Sequence, residues 1–411
     1  MAFCNTIDSI IGTNRKRKLS EGFSFSLYSK ASSIPEEAWK EANEEGDFFL
    51  EKKYLQATEI LHEDNVSFRY VLVYKHQKPI LIAYFQINDF TADVFGDMVQ
   101  MQLNDIQSKR AKLFEHYLDH KKDSVVMRLV TCGNNFISGE HAFAYNKLIS
   151  KKEACELMSL ITDSIGKSVK LRGKISAMLV KDFYKDCLPQ SPMFNDKFME
   201  FSVEPNMVIT IPENVNSLAD YIALFSKKYR NRVKSIFKHK DGIEVRELSF
   251  EDIKKHNASI YNLYEKVFMN AKFKLVKLSY DYFTEMKRLF PEEFKVYGFF
   301  KDGELVAFNS SILLKEMLEA HFIGFNYGLN KEFELYQNLL YHFIELAILN
   351  KKKTVGMGRT ASEIKSTTGA KANELVCYIK PQNTVSKVIL KPFISFLQPT
   401  EWIPRNPFKE E

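Results

Sequence analysis

The chain has 411 residues, of which 45% are hydrophobic, with 34 Phe and 19 Tyr. This length and apolar content exclude a disordered chain and a single small core, and they predict two globular domains. The net charge of +6 is moderate and fits acidic substrates or an anionic surface without demanding either.

No stretch approaches the ~18 continuous apolar residues of a membrane span. The first residues lack a signal-peptide core, because Arg15, Lys16, Arg17 and Lys18 follow their apolar residues instead of preceding them. Cys4, Cys132, Cys155, Cys187 and Cys377 are odd in number and scattered, with no C-x-x-C pair. This usage argues against a disulfide framework and a zinc site, and for a reducing compartment. The expectation is a cytoplasmic protein, with peripheral contact at the inner face of the membrane as a variant.

Taken in chain order, residues 1–22 read as a flexible basic tail, and FSFSLYS begins the first strand. Residues 35–61 carry a helical pattern, opening at Pro35 with Glu36 and Glu37 in the first turn, where negative charge suits the helix dipole. Residues 70–87, YVLVYKHQKPILIAYFQI, read as a hairpin. A charged helical stretch at 99–120 leads to RLVTCGNNFISGEHAFAY, a strand running into a loop with Gly133 and Gly139. The next helix, near 150–165, has Ala154, Leu157, Met158 and Ile161 on one face.

Segment 186–206 carries Pro189, Pro192 and Pro205 and no helical period, so it marks a domain junction. Beyond it, Leu218, Tyr221, Ile222, Phe225, Tyr229, Val233 and Ile236 keep a helical period that Gly242 closes. After strand IEVREL, Ser249 and Asp252 give a capping signal for a helix carrying Ile260, Leu263, Tyr264, Val267 and Phe268. A second hairpin follows at 296–312, VYGFFKDGELVAFNSSI, with the plan of the first: apolar strand, short turn with lysine, apolar strand. Strand LEAHFIGF, a loop through Gly328, a helix at 331–350, strand TVGMG and strand ELVCYIK complete the series. The repeated plan predicts a duplicated mixed α/β domain. The expected boundaries are a tail at 1–22, a first domain at 23–205, a second at 206–383 and a C-terminal extension at 384–411.

Three stretches carry a family resemblance. SKKYRNRVKSIFKHKDGIEVREL resembles the basic helix, glycine and strand that open the second domain of Fem-type proteins. HFIGFNYGLNKEFELYQNLLYHFIELAI is similar to the fourth strand, loop and helix of an acetyltransferase-like (GNAT) unit, and GMGRTASEIKSTTGAKANELVCYI resembles the G-x-x-x-E-x-K…G element of predicted N-acyltransferases. The resemblance implies two tandem GNAT domains, each a central mixed sheet flanked by helices. It further implies an N-acyltransferase that moves an acyl group from a thioester donor to a primary amine, with a lipid amine, such as a sphingoid or sulfonolipid base, as one acceptor. No tightly bound cofactor is implied, and acyl-coenzyme A or acyl carrier protein is the co-substrate. The [RQ]-x-x-G-x-[GA] pyrophosphate loop of acetyl-coenzyme A enzymes is missing, and Glu332 and Glu334 at the following helix would oppose a diphosphate. Two alternatives stay open: a Fem-type transferase that uses aminoacyl-tRNA on a peptidoglycan precursor, and a non-catalytic module that binds carrier protein or lipid.

Acyl transfer to an amine needs a proton acceptor, oxyanion donors and a proton for the leaving group. The oxyanion donors are expected from backbone between His321 and Phe325. Glu363 is the candidate acceptor of the amine proton, Lys365 or Arg359 the partner of an acidic group, His321 a group on the catalytic strand, and Tyr327 a proton source, with Asn326 beside it as a substrate contact. Glu140 and His141 are candidate substrate-binding residues in the first domain. His116 and His120 lack a third ligand, and no metal site is expected. Lys227, Arg230, Lys234 and Lys238 share one helix face, a basic stripe suited to an acidic carrier protein, a tRNA backbone or lipid phosphate. Apolar VSKVILKPFISFL reads as core packing or as an interfacial segment.

Overall fold

The computed structural model describes residues 16–62, 66–91, 125–169, 175–188, 194, 197–238, 242–271, 276–382, 386–387, 390, 394–395 and 397–409. The helix expected at 99–120, with His116 and His120, and most of the N-terminal tail lie outside these residues. The chain forms two compact units, one from the residues up to Val203 with Glu374–Pro399, the other from Glu204–Asn373 with the segment from Thr400.

Unit 1 is built on β1 (Arg17–Ser20), β2 (Phe23–Tyr28), β3 (Ser67–Lys75), β4 (Lys78–Thr91), β5 (Val125–Cys132), the short β6 (Phe143–Tyr145) and β7 (Ala177–Tyr184). Its helices are α1 (Glu36–Ala42), α2 (Lys52–His62) and α3 (Lys151–Val169). The single helix expected over 35–61 is broken: Asn43 leaves the helix and holds Asp47 by two side-chain bonds of 3.0 Å, and Gly46 takes φ 71. On α3, Ala154, Leu157, Met158 and Ile161 are all buried, as their spacing requires. Part of the expected tail is ordered, since β1 pairs antiparallel with β2, where Arg17 and Lys16 lie over the rings of Phe25 and Tyr74.

Unit 2 contains the part of β8 (Met199–Thr210) from Glu204 onward, α4 (Leu218–Ala223), α5 (Lys227–Lys238), β9 (Ile243–Glu247), α6 (Phe250–Asn270), α7 (Tyr282–Leu289), β10 (Phe294–Lys301), β11 (Glu304–Leu313), β12 (Met317–Phe325), α8 (Tyr327–Phe333), α9 (Leu335–Leu349), β13 (Thr354–Gly356) and α10 (Ser362–Ser366). The strand order is β8-β13-β12-β11-β10-β9, with β12 and β13 parallel and their neighbours antiparallel. The capping box at Ser249 and Asp252 is formed. Two expected helices are again broken. The helix over 218–236 stops after Ala223, where Ser226 donates instead to Pro407 O, and the helix over 331–350 turns at Glu334, which takes the left-handed φ of 47.

The two hairpins match in detail. In the first, Lys75 pairs Lys78, Tyr74 pairs Pro79, and a bulge shifts Val73 onto Leu81. In the second, Lys301 pairs Glu304, Phe300 pairs Leu305, and a bulge shifts Phe299 onto Ala307. Both turns have positive φ at their two central residues, His76 and Gln77 in one and Asp302 and Gly303 in the other, the geometry that suits the twist of adjoining strands. The duplication read from the sequence therefore extends to the same bulge two pairs from the same turn.

The last strand, β14 (Lys371–Pro381), pairs antiparallel with β7 in unit 1, although sequence order suggests the second domain. β7 is buried on both faces and needs a neighbour on each edge; β5 supplies one and β14 the other. Their pairing is bulged so that Lys181 and Asp182 oppose Cys377, with Asp182 at φ 66. The bulge puts two adjacent buried charges side by side at 2.9 Å, and Lys181 Nζ also donates to Asn134 O and Ile137 O at 2.6 and 2.8 Å. This pins the loop after β5.

Candidate active site

The sheet of unit 2 opens where β12 and β13 part. Their pairing runs from Met317↔Thr354 to Glu319↔Gly356 and ends with β13, while β12 continues to Phe325. On its other edge β12 is bulged, because Asn309 faces Ile323 and Ser311 faces Ala320, leaving His321 and Phe322 together opposite Ser310. The Ser310 hydroxyl fills the bulge, donating to Phe322 O and accepting from Phe322 N, both at 3.0 Å. Such a bulge aims two consecutive side chains to one side. His321 stacks on Tyr282 of α7, and Phe322 meets Tyr264 of α6 edge-on. Glu319, two residues before His321, shares that face. In unit 1 the corresponding parallel pair, β5 and β7, runs from Leu129↔Ala177 to Cys132↔Val180, where β5 ends while β7 continues to Tyr184.

Lys365, on α10 in the segment after β13, lies within electrostatic reach of Glu319. The chain reaches α10 through left-handed Gly358, Thr360 and Ala361, at φ 68, 67 and 50. Two of these carry side chains, a conformation that costs roughly 1–2 kcal/mol per residue and concentrates at functional sites. The resulting turn sends Lys365 inward, 5% exposed, with Nζ donating to Gly358 O at 3.2 Å and Arg359 O at 2.6 Å. Burial brings the lysine pKa down to about 7, while the negative charges of Glu319 and Glu204 act in the opposite direction. Glu319 is itself buried, and its carboxylate lies over Gly356, where a Cβ would collide with Oε2.

His321 Nε2 is 2.6 Å from Tyr282 Oη, and desolvation lowers the imidazole pKa to about 3. The ring is therefore neutral at physiological pH. Its other nitrogen, Nδ1, is buried and has no hydrogen-bond partner among the described residues.

Of the residues singled out in the sequence, Lys365 and His321 lie in this region. Glu363 points elsewhere: its carboxylate accepts from Arg405 Nε and Nη2 at 3.0 and 2.5 Å on the surface. Asn326 caps α8, accepting from Gly328 N at 2.9 Å, and Tyr327 is 45% exposed with its ring against Phe325. Arg359 contributes its carbonyl to Lys365. Glu140 and His141, adjacent in sequence, take different partners in unit 1, Lys151 at 2.6 Å and Asp47 at 2.8 Å. On α5, Lys227, Lys234 and Lys238 are exposed, whereas the Arg230 guanidinium turns back to Phe225 O; Lys240 lies outside the described residues. Glu319, Tyr282 and Glu204 were not singled out. Glu319 was legible in principle, since strand alternation in LEAHF puts Glu319 and His321 on one face of a central strand.

No family profile and no curated protein matches the sequence significantly. Among solved structures, the chain is similar to FemX, with a TM-score of 0.50 at 10% identity over 89% of this chain and 99% of that one. The chain has a tandem acetyltransferase-like fold of the Fem type. A tandem GNAT protein from the clavulanic acid biosynthesis pathway is also similar, with a TM-score of 0.48 at 7% identity over 88% of this chain and 99% of that one. In this chain no helix among the described residues is long and apolar enough to cross a membrane, and no group of three or more His, Cys, Asp or Glu among them is placed to hold a metal ion.

Proposed function

We propose that this protein transfers an acyl group from an activated carrier to a primary amine, with the chemistry at the parting of β12 and β13 in unit 2. The fold supplies the reaction class as an analogy. The observation that carries the assignment to this site is Lys365: a buried amine whose pKa lies near 7, within electrostatic reach of the buried Glu319 carboxylate on β12, the strand that runs on past the end of β13.

The amine nitrogen attacks the acyl carbon and loses a proton to Glu319 as the N–C bond forms. The bond to the carrier then breaks, and its sulfur or oxygen takes a proton from the Lys365 ammonium. A lysine near its midpoint at neutral pH gives and regains a proton with little cost. His321, neutral and anchored by Tyr282, offers Nδ1 to the reacting group as a hydrogen-bond partner, not as a titrating acid. Glu363, Tyr327 and Asn326 take no part.

The favoured donor is a thioester, acyl-coenzyme A or acyl carrier protein, with Lys227, Lys234 and Lys238 as the docking face for an acidic carrier. A lipid amine is the acceptor class carried over from the sequence resemblance. Aminoacyl-tRNA, the donor of the Fem-type alternative that the sequence resemblance raises, is the second donor to try. The test is mass-spectrometric detection of amide product from purified protein, supplied in parallel with acyl-coenzyme A, acyl carrier protein thioester or aminoacyl-tRNA and a panel of primary amines. Amide formed with a thioester supports the reading, product only with aminoacyl-tRNA replaces the donor, and no product with any pair rejects it.

A further inference from the structure

Unit 1 holds a cavity of about 170 Å³ between the turn after α1 and the segment around β6. Its apolar wall is Phe143, Tyr145 and Phe183, with Phe143 and Phe183 tilted at 54° and 6.0 Å apart. Its polar wall includes Asp47 and Glu140, and Lys151 reaches in from the start of α3. The volume is close to the roughly 150 Å³ that accommodates a benzene ring, so a ligand of about six heavy atoms fits.

The seating of Lys151 says which chemistry fits. Its ammonium bonds Glu140 Oε1 at 2.6 Å, and the side chain is about one-quarter exposed, at the rim of a chamber walled by aromatic rings. An aromatic wall with a carboxylate at one end matches an alkylammonium, because the ring faces attract the cation and tolerate its carbon chain. Of the three carboxylates that line the cavity, Glu45 is exposed and Asp47 is engaged with His141 and with Phe49 N, so Glu140, which already holds a lysine ammonium, is the carboxylate whose partner can be exchanged. The loop presenting Glu140 is held by Lys181, which keeps the acceptor in place when its partner changes.

We propose that this cavity is a recognition site for a short primary alkylammonium, and that Lys151 occupies the cation seat as an internal stand-in that the ligand displaces. The site does not depend on the transfer reading and stands even if no acyl transfer occurs.

The probe is n-butylammonium, the chemical equivalent of the lysine side chain, titrated calorimetrically into the full-length protein, with n-butanol and butyrate as the neutral and anionic comparisons. Wild type is expected to bind n-butylammonium and neither comparison compound. Glu140→Gln should weaken binding at least tenfold. Lys151→Met, which keeps the stem and removes the charge, should tighten it about tenfold by freeing Glu140, and that gain is a readout a merely structural ion pair would not give. Circular dichroism of both variants establishes that they are folded; if Lys151→Met does not fold, Lys151→Gln takes its place. Equal binding of n-butanol, preferential binding of butyrate, or unchanged or weaker binding by the folded Lys151 variant overturns the proposal.

Discussion

Lys365→Met should change how the stability of unit 2 depends on pH. In the unfolded chain Lys365 titrates at its ordinary 10.5, whereas burial brings it to about 7 in the folded protein, a gap equivalent to roughly 5 kcal/mol against the charged form. Between these values the unfolded chain holds a proton that the folded one has released, so stability rises with pH; below about 7 the whole penalty applies, and above 10.5 it vanishes. Methionine has no such dependence. Its lost bonds to Gly358 O and Arg359 O shift absolute stability but hardly the slope. From pH 7.5 to 9.5 the wild type should gain roughly 2–3 kcal/mol relative to Lys365→Met. Trp39 and Trp402 are the only tryptophans, and they lie in different units, so in a Trp39→Phe background urea unfolding followed by Trp402 fluorescence reports unit 2. Parallel wild-type and variant stabilities across this pH range would refute the buried, half-titrated lysine.

Gly356→Ala should push the Glu319 carboxylate out of its place, because the new methyl meets Oε2. Transfer activity is expected to fall at least tenfold while far-ultraviolet circular dichroism stays unchanged. Ser249→Ala should remove the capping box of α6 and cost about 1 kcal/mol in chemical unfolding, with little effect on activity.

Much of the fold was legible because local chemistry and global packing agree. The hairpins announce themselves as apolar runs around a turn, and the Ser249–Asp252 cap is a local motif. The helix breaks were less legible. Glu334 is an ordinary helix former held in a left-handed conformation by its surroundings, and the chain turns at Ser226 because Pro407, far away in sequence, offers its carbonyl. The pairing of β14 with β7 has the same origin, since a strand's partner is set by which buried edge is open. At the site, Lys365 and His321 were visible as charged or polar residues in apolar settings. The choice between Glu363 and Glu319 was not. It depends on Arg405 lying beside the first and on the buried Lys365 lying within electrostatic reach of the second, and spacing along the chain encodes neither.

The central claim is that Glu319, not Glu363, takes the amine proton. Its most direct test is kcat/KM for amide formation in Glu319→Gln and Glu363→Gln, assayed with the same donor and amine. The account predicts a loss of about a hundredfold or more for Glu319→Gln, the range of general acid–base catalysis, and a change within about threefold for Glu363→Gln. The reverse ranking, or two variants equally active, would contradict it.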